Sequence, residues 1–349
     1  MLPIILLLIS ALLALYHITK RIGIQRVEYR RHFSEEGVFE GETVVLVEEI
    51  INRAFLPFIR VDINAYLTHD LRLDGYPLDE KKMQCFTSRF FLLPFMQIKR
   101  SIRITCMKRG YYQLETVLIN NTWRDAGAVL HVYPRALPYG DENPMNSDIQ
   151  NTANVDRRLL HDPFSFSGIR DYRYGDAFRN INYKATAKTG LLKVNNRDYF
   201  SNRNIMVYID FSQLYPQPLT TEVYTDLMER ALSYTANMVE AGIKQGFNVG
   251  FAANCRMFGR VNRANHAWFP MGRGHNHYMG ILKEMAVIRM RDGCSFTWLL
   301  IQQVDVLWNT DIYIMTTNTE LPLDDVVGMY ESRGNNVTVL FLDNDRLKV

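Results

Sequence analysis

Cysteine is scarce in this 349-residue chain: Cys85, Cys106, Cys255 and Cys294 lie far apart and form no C-x-x-C pair. Structural zinc needs closely paired ligands and a small secreted scaffold needs many more cysteines. Both classes drop out, leaving buried, reduced thiols in a reducing compartment as the expectation. A large excess of charge of one sign is also lacking, the formal net charge being only +3. Such a balance by itself argues for no particular partner, and no nucleic-acid partner is expected. Catalytic signatures are absent too, with no Gly-x-Ser-x-Gly elbow, no phosphate loop ending in Gly-Lys-Ser/Thr and no His-Glu-x-x-His. Dispersed Ser, His and Asp can still meet in space, but the expectation is a binding protein and not an enzyme.

What is present is ordinary globular material, 47% apolar and 22% charged, in a length that suits two domains. The exception is residues 1–19. Leu2 to Ile18 is nearly all apolar, broken only by Ser10 and His17. At 1.5 Å per residue about 17 helical residues span roughly 26 Å, close to the hydrocarbon core of a bilayer. No Lys or Arg precedes the run, whereas Lys20, Arg21, Arg26, Arg30 and Arg31 follow it. Positive charge stays cytoplasmic, so we expect a single-pass anchor in the cell membrane with the bulk of the chain in the cytoplasm.

Residues 20–139 carry a β texture. Glu42–Val47, Phe58–Ile63, Gln97–Ile104, Tyr112–Val117 and Val129–Tyr133 are short runs, several with alternating polarity, punctuated by Gly41, Gly75 and Gly110. That pattern predicts an antiparallel β-sandwich. A polar, aperiodic linker over 140–163 precedes a basic segment, 164–203, which holds eight Lys/Arg against three Asp. From 204 the texture becomes α/β. The apolar runs Ile205–Ile209, Phe247–Ala252, Asp311–Met315 and Val337–Leu342 alternate with helical patterns over Val223–Val239, Met279–Arg289 and Asp324–Ser332. A mostly parallel sheet covered on both faces is predicted.

The basic segment holds the longest motif: Gly168-x-Arg170-x-Tyr172, then Gly175-Asp176-x-x-Arg179-x-Ile181-x-Tyr183-Lys184, then Ala187-Lys188. It resembles the signature of the bacterial domain-of-unknown-function family 58, with Tyr183 where Trp is usual and Lys188 where Arg is usual. The resemblance spans nearly the whole chain, although members commonly begin with two membrane helices and one is visible here. It implies a von Willebrand factor A-like α/β domain after the sandwich, and a partnership with an AAA+ ATPase of the MoxR type.

Two roles for the segment follow from its side chains. Asp176 pairs with Arg170 or Arg179 and locks the segment against the α/β domain, or Arg170, Arg179, Lys184 and Lys188 form a site for an anion or a partner protein. By the same resemblance, Asp210-x-Ser212 stands where a von Willebrand factor A domain begins its metal site. Leu214 lacks the expected oxygen and Thr316-Thr317-Asn318 replaces a later Asp. No resident cofactor is therefore expected, Asp210 and Ser212 being the remnant of a degenerate Mg²⁺ site. His275-Asn276-His277 reads as part of a Gly-rich surface loop. The expectation that gathers these points is a membrane-tethered scaffold working with the ATPase in assembling envelope or membrane complexes. The alternatives are a metal-dependent ligand-binding or adhesion protein, and a module whose basic segment binds anionic lipid.

Overall fold

The computed structural model describes residues 10, 27–55, 57–73, 75, 83–120, 122–137, 168–172, 181–196, 203–212, 221–258, 265–318 and 321–342. The expected anchor, apart from Ser10, and the expected linker lie outside the described residues. Among the described residues no helix is long and apolar enough to cross a membrane.

Among the described residues nine strands come first: β1 (Val27–Phe33), β2 (Gly37–Phe39), β3 (Thr43–Asn52), β4 (Phe58–Thr68), β5 (Leu71–Arg72), β6 (Met83–Leu92), β7 (Gln97–Cys106), β8 (Gly110–Ile119) and β9 (Thr122–Tyr133). They form two sheets, ordered β1-β3-β7-β5 and β2-β9-β8-β4-β6. Every pairing is antiparallel except β2 with β9. Alternation explains why they stack. In β9, Ala126, Ala128, Leu130 and Val132 point inward while the residues between them face outward, as a two-residue period requires. One apolar core joins Val44, Leu46 and Ile50 of one sheet to Ile63, Leu67, Val117 and Leu130 of the other. A charged cluster is buried with them. Glu48, fully buried, accepts hydrogen bonds from Tyr29 and Arg100, and Arg31 donates to the carbonyls of Ala126 (2.6 Å) and Thr116 (3.0 Å).

A small hairpin-like unit follows, with β10 (Gly168–Asp171) antiparallel to β11 (Lys193–Asn196) and α1 (Tyr183–Thr189) between them. Asn182 caps α1 by accepting from the Ala185 N–H, and Gly190 ends it in the left-handed conformation, φ 69°.

The remaining elements are β12 (Asn204–Ile209), α2 (Thr221–Lys244), β13 (Asn248–Ala253), β14 (Cys255–Met257), β15 (Ala267–Gly272), α3 (His275–Val287), β16 (Ile288–Asp292), α4 (Phe296–Gln303), β17 (Thr310–Thr316), α5 (Asp324–Glu331) and β18 (Asn336–Phe341). Their main sheet is ordered β15-β13-β12-β17-β18, parallel except for β15 at its edge. Both faces are covered. Ile205, Val207 and Ile209 pack with α2 and α3, whereas Met206 and Tyr208 pack with α4 and α5. The chain is thus a mixed α and β protein in which a two-sheet β unit precedes an α/β unit.

Arg109, immediately before β8, ties the two units together. Its guanidinium grips Glu229 of α2 with two hydrogen bonds (2.7 and 3.0 Å) and donates to the carbonyls of Met285 (2.7 Å) and Ile288 (3.1 Å). Tyr133 from β9 is buried in the same core as α2 and α3, and Tyr111 meets Phe258 with ring centres 5.1 Å apart.

Candidate functional site

In the main sheet the first parallel strand, β12, lies between β13 and β17. The chain order therefore reverses beside β12, and the carboxyl ends of β12 and β17 flank the point where open α/β sheets form their crevices. Three strands deliver polar residues there: Asp210 and Ser212 after β12, Asn254 after β13, and Thr316, Thr317 and Asn318 at the end of β17.

Asp210 is completely buried. One carboxylate oxygen accepts from the Ser212 N–H (2.9 Å) and Asn254 Nδ2 (3.1 Å), and the other accepts from Thr316 Oγ1 (2.9 Å). Asn254 braces the arrangement, donating also to Ser212 Oγ (2.9 Å) and accepting from the Phe211 N–H (2.6 Å). Every donor to the carboxylate among the described residues is neutral. Burial accordingly holds the Asp210 carboxyl above the ordinary carboxylate range, and the bonds from Ser212, Thr316 and Asn254 only partly oppose the shift. In the next residue of the chain after Thr316, the buried Thr317 hydroxyl has no hydrogen-bond partner. The donor set is one carboxylate with neutral oxygens, and no group of three His, Cys, Asp or Glu among the described residues could hold a metal ion.

The signature residues fall in a second place. Gly168 and Arg170 belong to β10, where Arg170 pairs in register with Val194. Ile181 is buried and bridges to Val194, and the Tyr172 N–H donates to the Leu192 carbonyl (3.0 Å). Gly175, Asp176 and Arg179 lie outside the described residues, and with them the proposed Asp–Arg lock. Tyr183, Lys184 and Lys188 are all exposed on α1, a helix that buries none of its residues. Lys184 and Lys188 stand one turn apart, at the spacing that puts side chains on one helical face. Leu191 and Leu192 continue this surface, both exposed.

The histidine pair is corrected. His275 and His277 start α3 and do not sit in a loop. His277 has a structural duty, its Nε2 lying 2.7 Å from the Val249 carbonyl and its ring packing against Gly272. Asn254, which holds the strand-end cluster together, was not foreseen, because an Asn after an apolar run reads as an ordinary turn residue.

No family model matches the chain, and no curated protein does. Partial likenesses exist among solved structures. The alkylpurine DNA glycosylase AlkC of Pseudomonas fluorescens is 19% identical with a TM-score of 0.22, over 31% of each chain. A CARDB domain from Pyrococcus furiosus is 10% identical with a TM-score of 0.22, over 30% of this chain and 91% of that one. A non-cellulosomal cohesin from Archaeoglobus fulgidus is 7% identical with a TM-score of 0.21, over 30% and 91%. Likenesses of this extent carry no argument about function.

Proposed function

We propose that this protein is a membrane-tethered scaffold whose signature unit and von Willebrand factor A-like domain contact a MoxR-type AAA+ ATPase. The observation that carries the reading is α1. A seven-residue helix that buries nothing gains little from its own chain, yet it displays Tyr183, 72% exposed, beside Lys184 and Lys188. An aromatic flanked by cations is the composition of an interface anchor with a steering rim. The strand order and the place of Asp210-x-Ser212 support the von Willebrand factor A-like reading of the α/β unit. The test is affinity capture of the full chain from gently solubilised host membranes, beside a Tyr183→Ala/Lys184→Ala/Lys188→Ala variant. Enrichment of the ATPase with the wild type and its loss with the variant support the scaffold. Equal recovery from both removes α1 from the contact, and absence of the ATPase from both contradicts the partnership.

One observation favours a second reading, metal-dependent ligand binding. The buried Asp210 carboxylate has only neutral hydrogen-bond donors and so no compensating charge, which a hard cation would supply. Calorimetric titration with Mg²⁺ and Mn²⁺ decides it. Heat that vanishes in Asp210→Asn supports the reading, and no heat in the wild type rejects it.

A further inference from the structure

One end of the β-sandwich carries a cluster of large apolar side chains that the core does not use. Phe55 is 79% exposed, Phe95 60%, Phe91 51% and Leu93 49%, with Met96 beside them. Phe55 comes from the β3–β4 loop, Leu93, Phe95 and Met96 from the β6–β7 loop and Phe91 from the end of β6 that leads into it, and the Phe55 and Phe95 rings meet edge to face at 4.9 Å. The turn that presents them is specific. The Met96 N–H donates to the Leu93 carbonyl (3.1 Å), enclosing Pro94 and Phe95, and Phe95 has φ 57°. Glycine is the usual residue at such a position, and here a phenyl ring is displayed instead. Solvent-facing apolar patches of this kind mark surfaces that meet another apolar phase or a partner.

The position of the cluster selects the occupant. β1 starts at Val27, in register with Asn52 at the end of β3. Asn52 is itself bonded to the aromatic turn, its N–H donating to the Met96 carbonyl and its Nδ2 to the Leu93 carbonyl, both at 2.9 Å. The chain therefore enters the sandwich at the end that bears the exposed aromatics. Only eight residues, Thr19–Arg26, separate that entry from the apolar run Leu2–Ile18. Fully extended they reach about 28 Å, and less in any compact form. Arg53, on the same rim, is more than half exposed and pairs with Glu28 (2.5 Å), and Lys20, Arg21 and Arg26 lie in the short connection. Aromatic rings among cations are the composition of a membrane interface.

We infer that the Phe55/Phe91/Leu93/Phe95/Met96 tip inserts into the interface of the bilayer that holds the N-terminal run, giving the sandwich a second point of attachment. The occupant is the lipid surface. The inference rests on the tether of the proposed function and adds an orientation to it. With the aromatic end in the lipid, the sandwich stands upright. Its opposite end, about 30 Å away along the ten residues of β3, faces water together with the α/β unit docked there by Arg109.

The test uses the full chain in liposomes containing anionic lipid. Exposed Cys85 and partly exposed Cys294 are replaced by Ser, and a nitroxide is attached at Phe55→Cys or, at the opposite end, at Met107→Cys. Leu93→Cys serves as a second tip probe should Phe55→Cys fold poorly. Collision with apolar oxygen and with a water-soluble nickel chelate is read by spin-label saturation. The expected result is a severalfold higher oxygen-to-nickel ratio at the tip than at Met107. A tip as open to nickel as Met107 overturns the inference while leaving the tether standing, provided the chain resists carbonate extraction. Exclusion of both reagents overturns it in favour of a protein contact, such as a second copy. A chain that carbonate removes refutes the tether and the insertion together.

Discussion

Replacing Arg109 by Ala tests whether the two halves of the molecule behave as one body. The side chain is almost wholly buried and supplies all four polar contacts described for it at the seam: two to the Glu229 carboxylate and one each to the Met285 and Ile288 carbonyls. Removing one partner of a buried ion pair costs about 3–5 kcal/mol, since the other is left uncompensated. Glu229 keeps 30% of its side chain exposed, so water recovers part of the loss and the lower half of that range is expected. Of the two carbonyls, that of Met285 keeps the Ile288 N–H that closes α3, so the larger share of the loss falls on Ile288. Arg109→Lys should fall in between, keeping the charge but losing the paired fork. Urea unfolding of the detergent-solubilised chain reads the result twice. Backbone dichroism sees both units, while Trp268, Trp298 and Trp308 report the α/β unit by fluorescence and Trp123 the sandwich. The wild type should unfold with coincident transitions, and Arg109→Ala with separated ones. A loss under about 1 kcal/mol with coincidence preserved would refute the seam as the element that joins the units.

Two further outcomes are expected at the strand ends. The Asp210 carboxyl is held above its unfolded-chain value of 3.8 by burial, so the folded state binds that proton more tightly. Stability from this group is therefore present at low pH and is lost as pH rises from about 3.8 through the folded value. Asp210→Asn, which keeps the acceptor for Ser212 and Asn254, should raise Tm at pH 7 and flatten that part of the pH profile; a lower Tm at pH 7 would mean that the ionised form is better satisfied than its neutral donors imply. Gly293 has no room for a methyl group, because a Cβ would lie 1.9 Å from the Asn265 carbonyl oxygen. Gly293→Ala should cost at least the 1–3 kcal/mol typical of overpacking, whereas Gly127→Ala, with open space around it, should be neutral or stabilising. Thermal denaturation of the two variants side by side decides between them.

Periodicity made the long elements legible. The alternating runs that became β4, β7 and β8 and the unbroken apolar run of β12 each stand out in the sequence. Short or two-sided elements gave no such signal. β6, Met-Gln-Cys-Phe-Thr-Ser-Arg-Phe-Phe-Leu, has apolar residues on both faces, and its outward Phe91 belongs to the exposed tip. β14 and β16 pair Arg256 with Arg289 across a long separation, which no local pattern encodes. The helix expected over Met279–Arg289 begins at His275 and stops at Val287, because Ile288 enters β16 instead. The candidate site divides in the same way. Asp210 and Ser212 stood out by their place after an apolar strand, while Asn254 and the Arg109–Glu229 grip depend on long-range contacts that sequence spacing does not reveal.

The scaffold reading turns on whether the exposed helix α1 is the surface the ATPase covers. Amide hydrogen exchange of the full chain, with and without the purified ATPase, reads that directly. The expected result is slowed exchange across Tyr183–Leu192, a stretch with no buried helical residue of its own, and unchanged exchange in the core strands β12 and β17. Unchanged exchange over Tyr183–Leu192 when the ATPase is bound would contradict it, most sharply if protection appeared instead at the strand ends around Ser212 and Asn318.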